Sequence, residues 1–203
     1  MTGFHNVGLG YETLQGASSG TPNSANYNIA IGFGAGKSIS TGGNNFFGGY
    51  QAGDSTTTGS NNTVIGNGSD ASSATVSNEI TLGNSSIATL RCQVTSITAL
   101  SDARDKTNVA PLQAGLDFVE HLAPVSFDWD MRDGGKVGVA DTGFIAQDLQ
   151  KVQIDTGITI PGLVFDENPD RLEAAYGKLV PVLVQSIKEL SAKVTELEAQ
   201  INS

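Results

Sequence analysis

A short frame recurs through the first half of the chain and limits what that half can fold into. Each copy begins with Asn, continues with a brief apolar alternation and ends with Gly. The clear copies are residues 6–10, 28–32, 45–49 and 62–66, and a looser copy covers residues 78–83, starting at Asn78. From Asn28 to Asn45, and from Asn45 to Asn62, the step is 17 residues. A constant step of this kind is typical of a solenoid, in which each turn of chain stacks on the previous one.

Each copy predicts one very short β-strand. Alternation with a period of two indicates a strand, and the bordering Gly and Asn residues adopt positive φ easily in tight turns. One such strand cannot bury a core alone, whereas stacked copies can. Because the repeat is poor in apolar residues, several chains wrapped about one axis would cover them better than a single stack. The alternative, a flexible Gly/Ser-rich linker, does not require a frame at a fixed step.

The repeat over residues 4–90 resembles the β-roll heads of trimeric autotransporter adhesins and the repeat shafts of phage tail fibres. We therefore predict that residues 1–100 form an all-β trimeric shaft, similar to a β-roll or β-helix. Carboxylates in this half are few: Glu12, Asp54, Asp70 and Glu79. None are paired as glycoside hydrolysis requires, which argues against a depolymerising active site in the shaft.

The C-terminal residues 176–203 carry a heptad pattern. Apolar residues follow one another at alternating steps of four and three: Tyr176, Val180, Leu183, Ile187, Leu190, Val194, Leu197 and Ile201. Isoleucine at several of these positions is compatible with more than two strands, and three would match the shaft. We predict a helix that forms a trimeric coiled coil; the alternative is an amphipathic helix packed on its own domain.

Residues 101–175 predict an α+β domain between these two segments. A helix is expected over residues 111–122, with Pro111 at its first position and Leu112, Leu116, Val119 and Leu122 on its apolar face. A strand over 125–129, a turn over 132–136, a strand over 137–139 and a helix over 145–152 follow. Residues 158–165 predict a strand, a turn and a second strand, and residues 87–100 predict one or two strands before the domain.

A serine and a lysine stand five residues apart where the shaft meets this domain. Serine is a poor nucleophile until a base takes its proton, and lysine can be that base when its neutral form is favoured. Arg104, between Ser101 and Lys106, could favour the neutral amine, whereas Asp102 and Asp105 would oppose it. The spacing by itself is equally typical of a solvated turn.

Four sequence blocks, which follow one another in a fixed order, connect the Ser101–Lys106 pair with a known family. Ser-Asp-x-Arg-x-Lys-x-Asn at residues 101–108 is followed by Leu-Ala-Pro-Val and Trp within 115–129, Gly-Phe-Ile-Ala-Gln-Asp-Leu-Gln at 143–150, and Tyr-Gly-Lys-Leu running into Ile-Lys-Glu-Leu at 176–190. These blocks resemble the intramolecular chaperone domain of phage endosialidases and tail fibres, the peptidase S74 family.

The resemblance implies a trimerisation cap that helps the upstream fibre to fold and often cuts itself off. It assigns Ser101 as nucleophile, Lys106 as general base and Leu100–Ser101 as the scissile bond, with Asp102, Arg104 and Asn108 in supporting roles. Such a cut happens once per chain, so no turnover on other substrates is expected. The chain departs from the family at residues 139–142, Val-Ala-Asp-Thr, where members often carry a histidine.

These features predict a tail-fibre or tail-spike end piece that drives its own trimer assembly and can self-cleave. The alternative is a non-cleaving, host-receptor-binding fibre tip that keeps the cap as a structural part. Expected partners are further copies of the chain, other fibre proteins of the virion and a host receptor that the sequence does not identify. We expect synthesis in the host cytoplasm and location in the virion, because the N-terminus lacks the pattern of a signal peptide.

Composition limits the remaining possibilities. The net charge of −10 argues against nucleic acid as a partner, since such partners require clustered Lys and Arg. No apolar stretch is long enough to span a membrane. The single cysteine, Cys92, excludes an intrachain disulfide and is expected to be a small buried side chain. Neither a cofactor nor a metal is expected.

Overall fold

A computed structural model describes residues 3–16, 24–93 and 97–202 of the chain. The described residues form two compact units. The first runs to Leu90 and includes Asp130–Gly138; the second contains Arg91–Trp129 and the residues from Val139 onward.

A parallel sheet of five three-residue strands forms the first unit. The strands are β1 (Val7–Leu9), β2 (Ile29–Ile31), β3 (Phe46–Gly48), β4 (Thr63–Ile65) and β5 (Ile80–Leu82), and each pairs with the next in sequence order. Equivalent frame positions lie side by side, as in the pairing of Ile29 with Phe46 and of Phe46 with Thr63. The prediction of a stacked, all-β repeat is therefore confirmed.

The frame asparagines form a buried ladder through this unit. The Asn45 amide nitrogen Nδ2 donates to Asn28 Oδ1 at 2.9 Å and to the Gly59 carbonyl at 2.9 Å. Asn45 Oδ1 accepts the backbone N–H of Asn62 at 2.9 Å, and Asn28 Oδ1 accepts that of Asn45 at 3.0 Å. All three side chains are buried. Each asparagine side chain thus adds hydrogen bonds between turns that the backbone of the parallel sheet also connects, as in the bond from the Ile29 N–H to the Asn45 carbonyl.

The fifth copy continues the ladder one residue later than its sequence suggests. Glu79, not Asn78, occupies the position after Asn62 and donates its N–H to Asn62 Oδ1 at 3.0 Å. The Glu79 carboxylate accepts the N–H and the hydroxyl of Ser72, at 2.8 and 2.5 Å. The looser frame starting at Asn78 was therefore placed one residue too early, and a glutamate closes the ladder.

Positive φ angles mark each side of the frame. The residue before each ladder position lies in the left-handed region, namely His5, Tyr27, Asn44, Asn61 and Asn78. The Gly that ends each strand also has positive φ, and a Cβ on Gly32 would overlap the carbonyl of Gly49 in the next turn. This close approach of backbones explains why the last frame position is always Gly.

One face of the sheet is buried and the other is exposed and apolar. The middle residues of three strands, Ala30, Phe47 and Val64, are fully buried among side chains that include Leu14 and Ile39. The outer residues of the strands point the other way. The exposed ones are Val7, Leu9, Ile29, Ile31, Ile65, Ile80 and Leu82. We call these residues the outer strand face.

The second unit combines short helices and strands with one long helix. Its elements are α1 (Leu116–Glu120), β6 (Val125–Asp130), β7 (Val137–Gly143), α2 (Ala146–Thr156), β8 (Val164–Phe165), β9 (Glu173–Ala174) and α3 (Leu179–Ile201), of which β6 and β7 extend into the Asp130–Gly138 segment of the first unit. β6 pairs with β7, and β8 pairs antiparallel with β9. The core contains Phe118, Leu149, Leu163 and Val182. A mixed class, with an all-β unit and an α+β unit ending in a long helix, is confirmed.

Helix α3 buries one side and exposes its heptad seam. Leu179, Val182 and Ser186 pack into the core of the second unit. All eight predicted seam residues, from Tyr176 to Ile201, are exposed. The residues through which α3 packs on its own domain are thus different from the heptad residues.

Several local predictions were wrong. The first helix covers only Leu116–Glu120 instead of 111–122, because residues 111–114 are irregular and Gly115 has a non-helical backbone, with φ −140° and ψ −139°. Leu112 is exposed, and Phe118 with Ala114 supplies the buried surface. In residues 158–165 only Val164–Phe165 is a strand.

The stretch before Ser101 also differs from its prediction. No strand occurs within residues 87–93 and 97–100, and the prediction for 94–96 lies outside the described residues. Alternation needs a partner strand, and this stretch has none within the described chain. Cys92 is exposed there instead of buried.

Candidate functional site

The structure brings the two predicted dyad residues into direct contact. Lys106 Nζ lies 2.6 Å from Ser101 Oγ and 3.1 Å from the carbonyl oxygen of Ser101. As an ammonium, Nζ donates to both oxygens; as a neutral amine, it could accept the hydroxyl proton instead. A nucleophile and a base within hydrogen-bond reach are the minimum that acyl transfer requires.

A single 3₁₀ turn creates this contact. The turn covers Ala103–Asp105, and its C-cap residue Lys106 donates its N–H to the Ala103 carbonyl at 3.2 Å. The Asp105 N–H donates to the Asp102 carbonyl at 3.2 Å. The chain therefore reverses between Ser101 and Lys106, which returns the lysine to the serine.

Asp102 holds the start of this turn and pairs with Arg104. Its Oδ1 accepts the backbone N–H of Arg104 at 2.8 Å, as an N-cap does, and also Arg104 Nε at 3.0 Å. Its Oδ2 accepts Arg104 Nη2 at 2.6 Å. The carboxylate is thus held at both oxygens by a two-point contact with the guanidinium.

This pairing shifts both groups towards their charged forms. The Arg104 side chain and then its backbone N–H lower the pKa of Asp102 by donating to the carboxylate. The same side-chain contact raises the pKa of Arg104. The guanidinium therefore faces Asp102, and its predicted use as a charge beside Lys106 is replaced by a contact with the neighbouring carboxylate.

Apolar residues flank the dyad in the sequence, and Asn108 follows it. Leu100, on the acyl side of the predicted scissile bond, is 97% exposed, and Val109 is 81% exposed. Asn108 has a φ of 54°, a left-handed conformation that asparagine tolerates better than most residues. Ser101 and Lys106 are themselves exposed in the single chain. The site thus consists of a polar pair between two uncovered apolar side chains.

The other family-like blocks have structural contacts that sequence reasoning missed. The Tyr176 hydroxyl accepts the N–H of Phe144 at 3.1 Å and donates to its carbonyl at 2.8 Å. A Cβ on Gly143 would lie 2.8 Å from that hydroxyl, so the glycine leaves room for the tyrosine. In the sequence, the Phe144–Tyr176 contact was indicated only by the presence of both residues in family-like blocks.

Glu189 of α3 makes a second contact of this kind, within the Ile-Lys-Glu-Leu block. Its Oε2 accepts the N–H of Leu116, the first residue of α1, at 2.7 Å, and Oε1 accepts Gln185 Nε2 at 2.8 Å. The backbone N–H, followed by the Gln185 amide, lowers the pKa of this carboxyl. The Ile-Lys-Glu-Leu block therefore attaches the long helix to the start of α1.

Asp141 lies on β7, within residues 139–142. Its Oδ2 accepts Trp129 Nε1 at 3.0 Å. Among the described residues, no group of three or more His, Cys, Asp or Glu side chains is placed to hold a metal ion. Within the same residues, no helix is long and apolar enough to cross a membrane.

Comparisons with known proteins agree with the geometry at this junction. Residues 101–158 match the Peptidase S74 family, described as chaperone of endosialidase, and the match begins at the dyad serine. The chain is 32% identical over 105 residues to the long tail fiber protein Gp37 of Enterobacteria phage K3 and to that of Enterobacteria phage T2. These alignments cover 50% of this chain but only 8% and 7% of the two relatives. No solved structure shows a significant match.

Proposed function

Residues 101–158 belong to the chaperone-of-endosialidase family as it occurs in phage tail fibres, and on that premise we propose that the chain is a tail-fibre end piece that assembles as a trimer. The C-terminal unit drives the association of three chains and the folding of the β repeat in front of it. In this role the unit serves as an assembly device that also severs Leu100–Ser101 once per chain.

The exposed heptad seam of α3 is the observation that carries the assembly role. Ile187 and Val194 are mid-seam residues, and both are more than half exposed although an adjoining face of the helix is packed in the core. A seam at alternating steps of four and three meets the same seam on another helix along its whole length. The number three rests on the resemblance to trimeric fibre shafts, because a seam that alternates Val or Ile with Leu is by itself more typical of two helices.

A second exposed apolar surface supports the same conclusion. The outer strand face of the β repeat is exposed in the single chain. Like the α3 seam, it would be covered by neighbouring copies of the chain.

Self-cleavage follows from the contact between Ser101 and Lys106. The neutral amine of Lys106 takes the proton of Ser101 Oγ, and Oγ attacks the carbonyl carbon of Leu100. The bond between that carbon and the nitrogen of Ser101 breaks, and the nitrogen receives the proton from Nζ. An ester between Leu100 and Ser101 Oγ remains; water hydrolyses it to the Leu100 carboxylate and the Ser101 hydroxyl.

Assembly would remove Lys106 from water, a condition for this reaction that the single chain does not meet. Lysine acts as a base only when its neutral form is favoured, which requires removal from water. Leu100 and Val109, on either side of the dyad, are exposed apolar residues that association would cover. Covering them would also exclude water from Lys106, so cleavage is expected to follow trimer formation.

A second function, a fibre tip that keeps its cap, is favoured by one observation. Residues 139–142 lack the histidine that related sequences often carry, and Asp141 in that segment is bound to Trp129. If that histidine assists the reaction elsewhere, this chain would assemble in the same way but remain intact.

Intact-mass analysis of the purified protein separates the two functions. The self-cleaving protein yields two fragments, residues 1–100 and 101–203, whereas Ser101→Ala and Lys106→Ala remain whole. Lys151→Ala is the matched control, because it removes an exposed lysine of α2 and should cleave like the wild type. A wild-type chain that stays at full mass refutes self-cleavage and leaves the assembly role standing.

A further inference from the structure

We propose that Asp102 and Arg104 are positioning residues for the Ser101–Lys106 dyad, in which Arg104 keeps the Asp102 carboxylate away from the lysine. This inference rests on the proposed self-cleavage, and it assigns to each of the two residues a defined action. Asp102 shapes the turn that returns Lys106 to Ser101. Arg104 forms an ion pair with the Asp102 carboxylate, so that this carboxylate does not pair with Lys106.

The turn is needed because the dyad residues are far apart along the chain. Five residues in an extended conformation span about 17 Å, far beyond the reach of a hydrogen bond. The 3₁₀ turn of Ala103–Asp105 shortens this path until Nζ lies 2.6 Å from Oγ. The Asp102 side chain stabilises the first step of the turn by accepting the N–H of Arg104 at 2.8 Å.

The guanidinium of Arg104 prevents a competing ion pair. Asp102 follows Ser101 directly, so its carboxylate belongs to the same short turn as the amine that contacts Ser101; Asp105, next to Lys106, is the other acidic residue of this turn and is unchanged in the variants below. A free carboxylate at that place would attract the ammonium form of Lys106 and oppose the neutral form that catalysis requires. The contacts of Arg104 Nε and Nη2 with the two carboxylate oxygens, at 3.0 and 2.6 Å, occupy it.

The Asp102–Arg104 ion pair contributes little to the stability of the folded chain. The Arg104 side chain is 89% exposed, and exposed ion pairs add little to the stability of a protein. Variants at either position are therefore expected to fold and assemble normally. Any loss of cleavage in such variants then reports on the geometry and charge at the dyad.

Three variants test the two actions through the rate of cleavage. Arg104→Gln frees the Asp102 carboxylate, and we expect cleavage to slow by about tenfold to a hundredfold, as for a misplaced catalytic group. Asp102→Asn keeps an oxygen that can cap the turn but removes the charge, so a smaller loss is expected. The double variant Asp102→Asn/Arg104→Gln should cleave faster than Arg104→Gln alone, since the harmful carboxylate is gone.

This rescue is the critical result. A pair that only holds the turn already loses its mutual contact in Arg104→Gln, so changing the second partner as well should bring no gain in rate. If the double variant cleaves no faster than Arg104→Gln, or if Arg104→Gln cleaves at the wild-type rate, the charge-masking role of Arg104 is refuted.

A measurement that does not require cleavage separates this inference from the proposed function. The rate at which acetic anhydride acetylates the Lys106 amine is followed by mass spectrometry, with exposed Lys188 as internal reference. Acetylation requires the neutral amine, so Arg104→Gln should slow labelling at Lys106 severalfold and the double variant should restore it. Unchanged labelling in Arg104→Gln overturns the inference; altered labelling in a chain that never cleaves supports it and refutes self-cleavage alone.

Discussion

The buried asparagine ladder makes a strong prediction for Asn45→Ala. The Asn45 side chain makes three hydrogen bonds, to Asn28 Oδ1, to the Gly59 carbonyl and from the Asn62 N–H, each at 2.9 Å. Alanine removes all three and leaves the carbonyl of Gly59 and the N–H of Asn62 without this buried partner. At about 1 kcal/mol for each lost bond, and somewhat more for each orphaned group, the local stability should fall by about 3–5 kcal/mol.

Native-state hydrogen exchange measures this loss locally. The Phe46 amide, which donates to the Asn62 carbonyl and keeps that acceptor in the variant, is the reporter; its free energy of opening should fall by that amount, which accelerates its exchange by about a hundredfold to a few thousandfold. The amide of Leu149, in α2 of the other unit, serves as internal reference and should not change. This readout avoids treating a protein with two units as a single two-state system.

Asn67→Ala is the matched control for the same substitution at an exposed position. It should change the opening free energy by no more than about 0.5 kcal/mol. If Asn45→Ala also stays within about 0.5 kcal/mol of the wild type, the ladder does not hold the turns together and this reasoning is refuted.

Three further substitutions give expected outcomes. Burial raises the pKa of Asp70 to about 6, so the folded state binds its proton more tightly than the unfolded state and loses stability as pH rises from about 4 to 6. Asp70→Asn keeps an acceptor for the Ser55 N–H. It should therefore stabilise the protein at pH 7 by about 1 kcal/mol after solvent screening and have little effect at pH 4. Equal shifts of the thermal unfolding midpoint at the two pH values would contradict this. The buried Thr56 hydroxyl has no hydrogen-bond partner within the described residues, so Thr56→Val should raise stability by about 1 kcal/mol in thermal unfolding, and a loss would refute the assignment. Tyr176→Phe removes both hydrogen bonds to the Phe144 backbone and should lower the stability of the second unit by about 1 kcal/mol, followed by the fluorescence of the single tryptophan; an unchanged midpoint would contradict it.

The regular part of the fold could be predicted because one rule repeats in it. Strands β1–β4 lie inside the frames read from the sequence, since Gly and a residue with positive φ border every turn. The fifth turn was misplaced because Asn78 resembles a frame residue. The constant step of 17 from Asn62 leads to Glu79, and the hydrogen bond from its N–H confirms that position.

Elements that depend on distant partners could not be predicted. Helix α1 begins at Leu116 because the carboxylate of Glu189, 73 residues away, accepts its N–H, and no local signal reveals this. Pro111 suggested an earlier start, but a suitable first residue does not by itself make a helix. Cys92 and the residues around it were expected to be packed, yet no strand of the described chain pairs with them.

The candidate site, too, could be predicted only in part from the sequence. The sequence pattern identified Ser101 and Lys106, and the structure places them in contact. It also suggested Arg104 as a charge acting on Lys106, whereas the guanidinium binds Asp102. An Asp two residues before an Arg can cap a turn and pair with it at once, and only the backbone geometry distinguishes that from pairing with lysine.

The molar mass of the uncleavable Ser101→Ala protein in solution tests the proposed assembly most directly. Light scattering after size exclusion should give three times 21.0 kDa, about 63 kDa, because the α3 seam and the outer strand face require partners to cover them. A mass of one chain, maintained at high protein concentration, would contradict the account, since those apolar surfaces would then be stable in water.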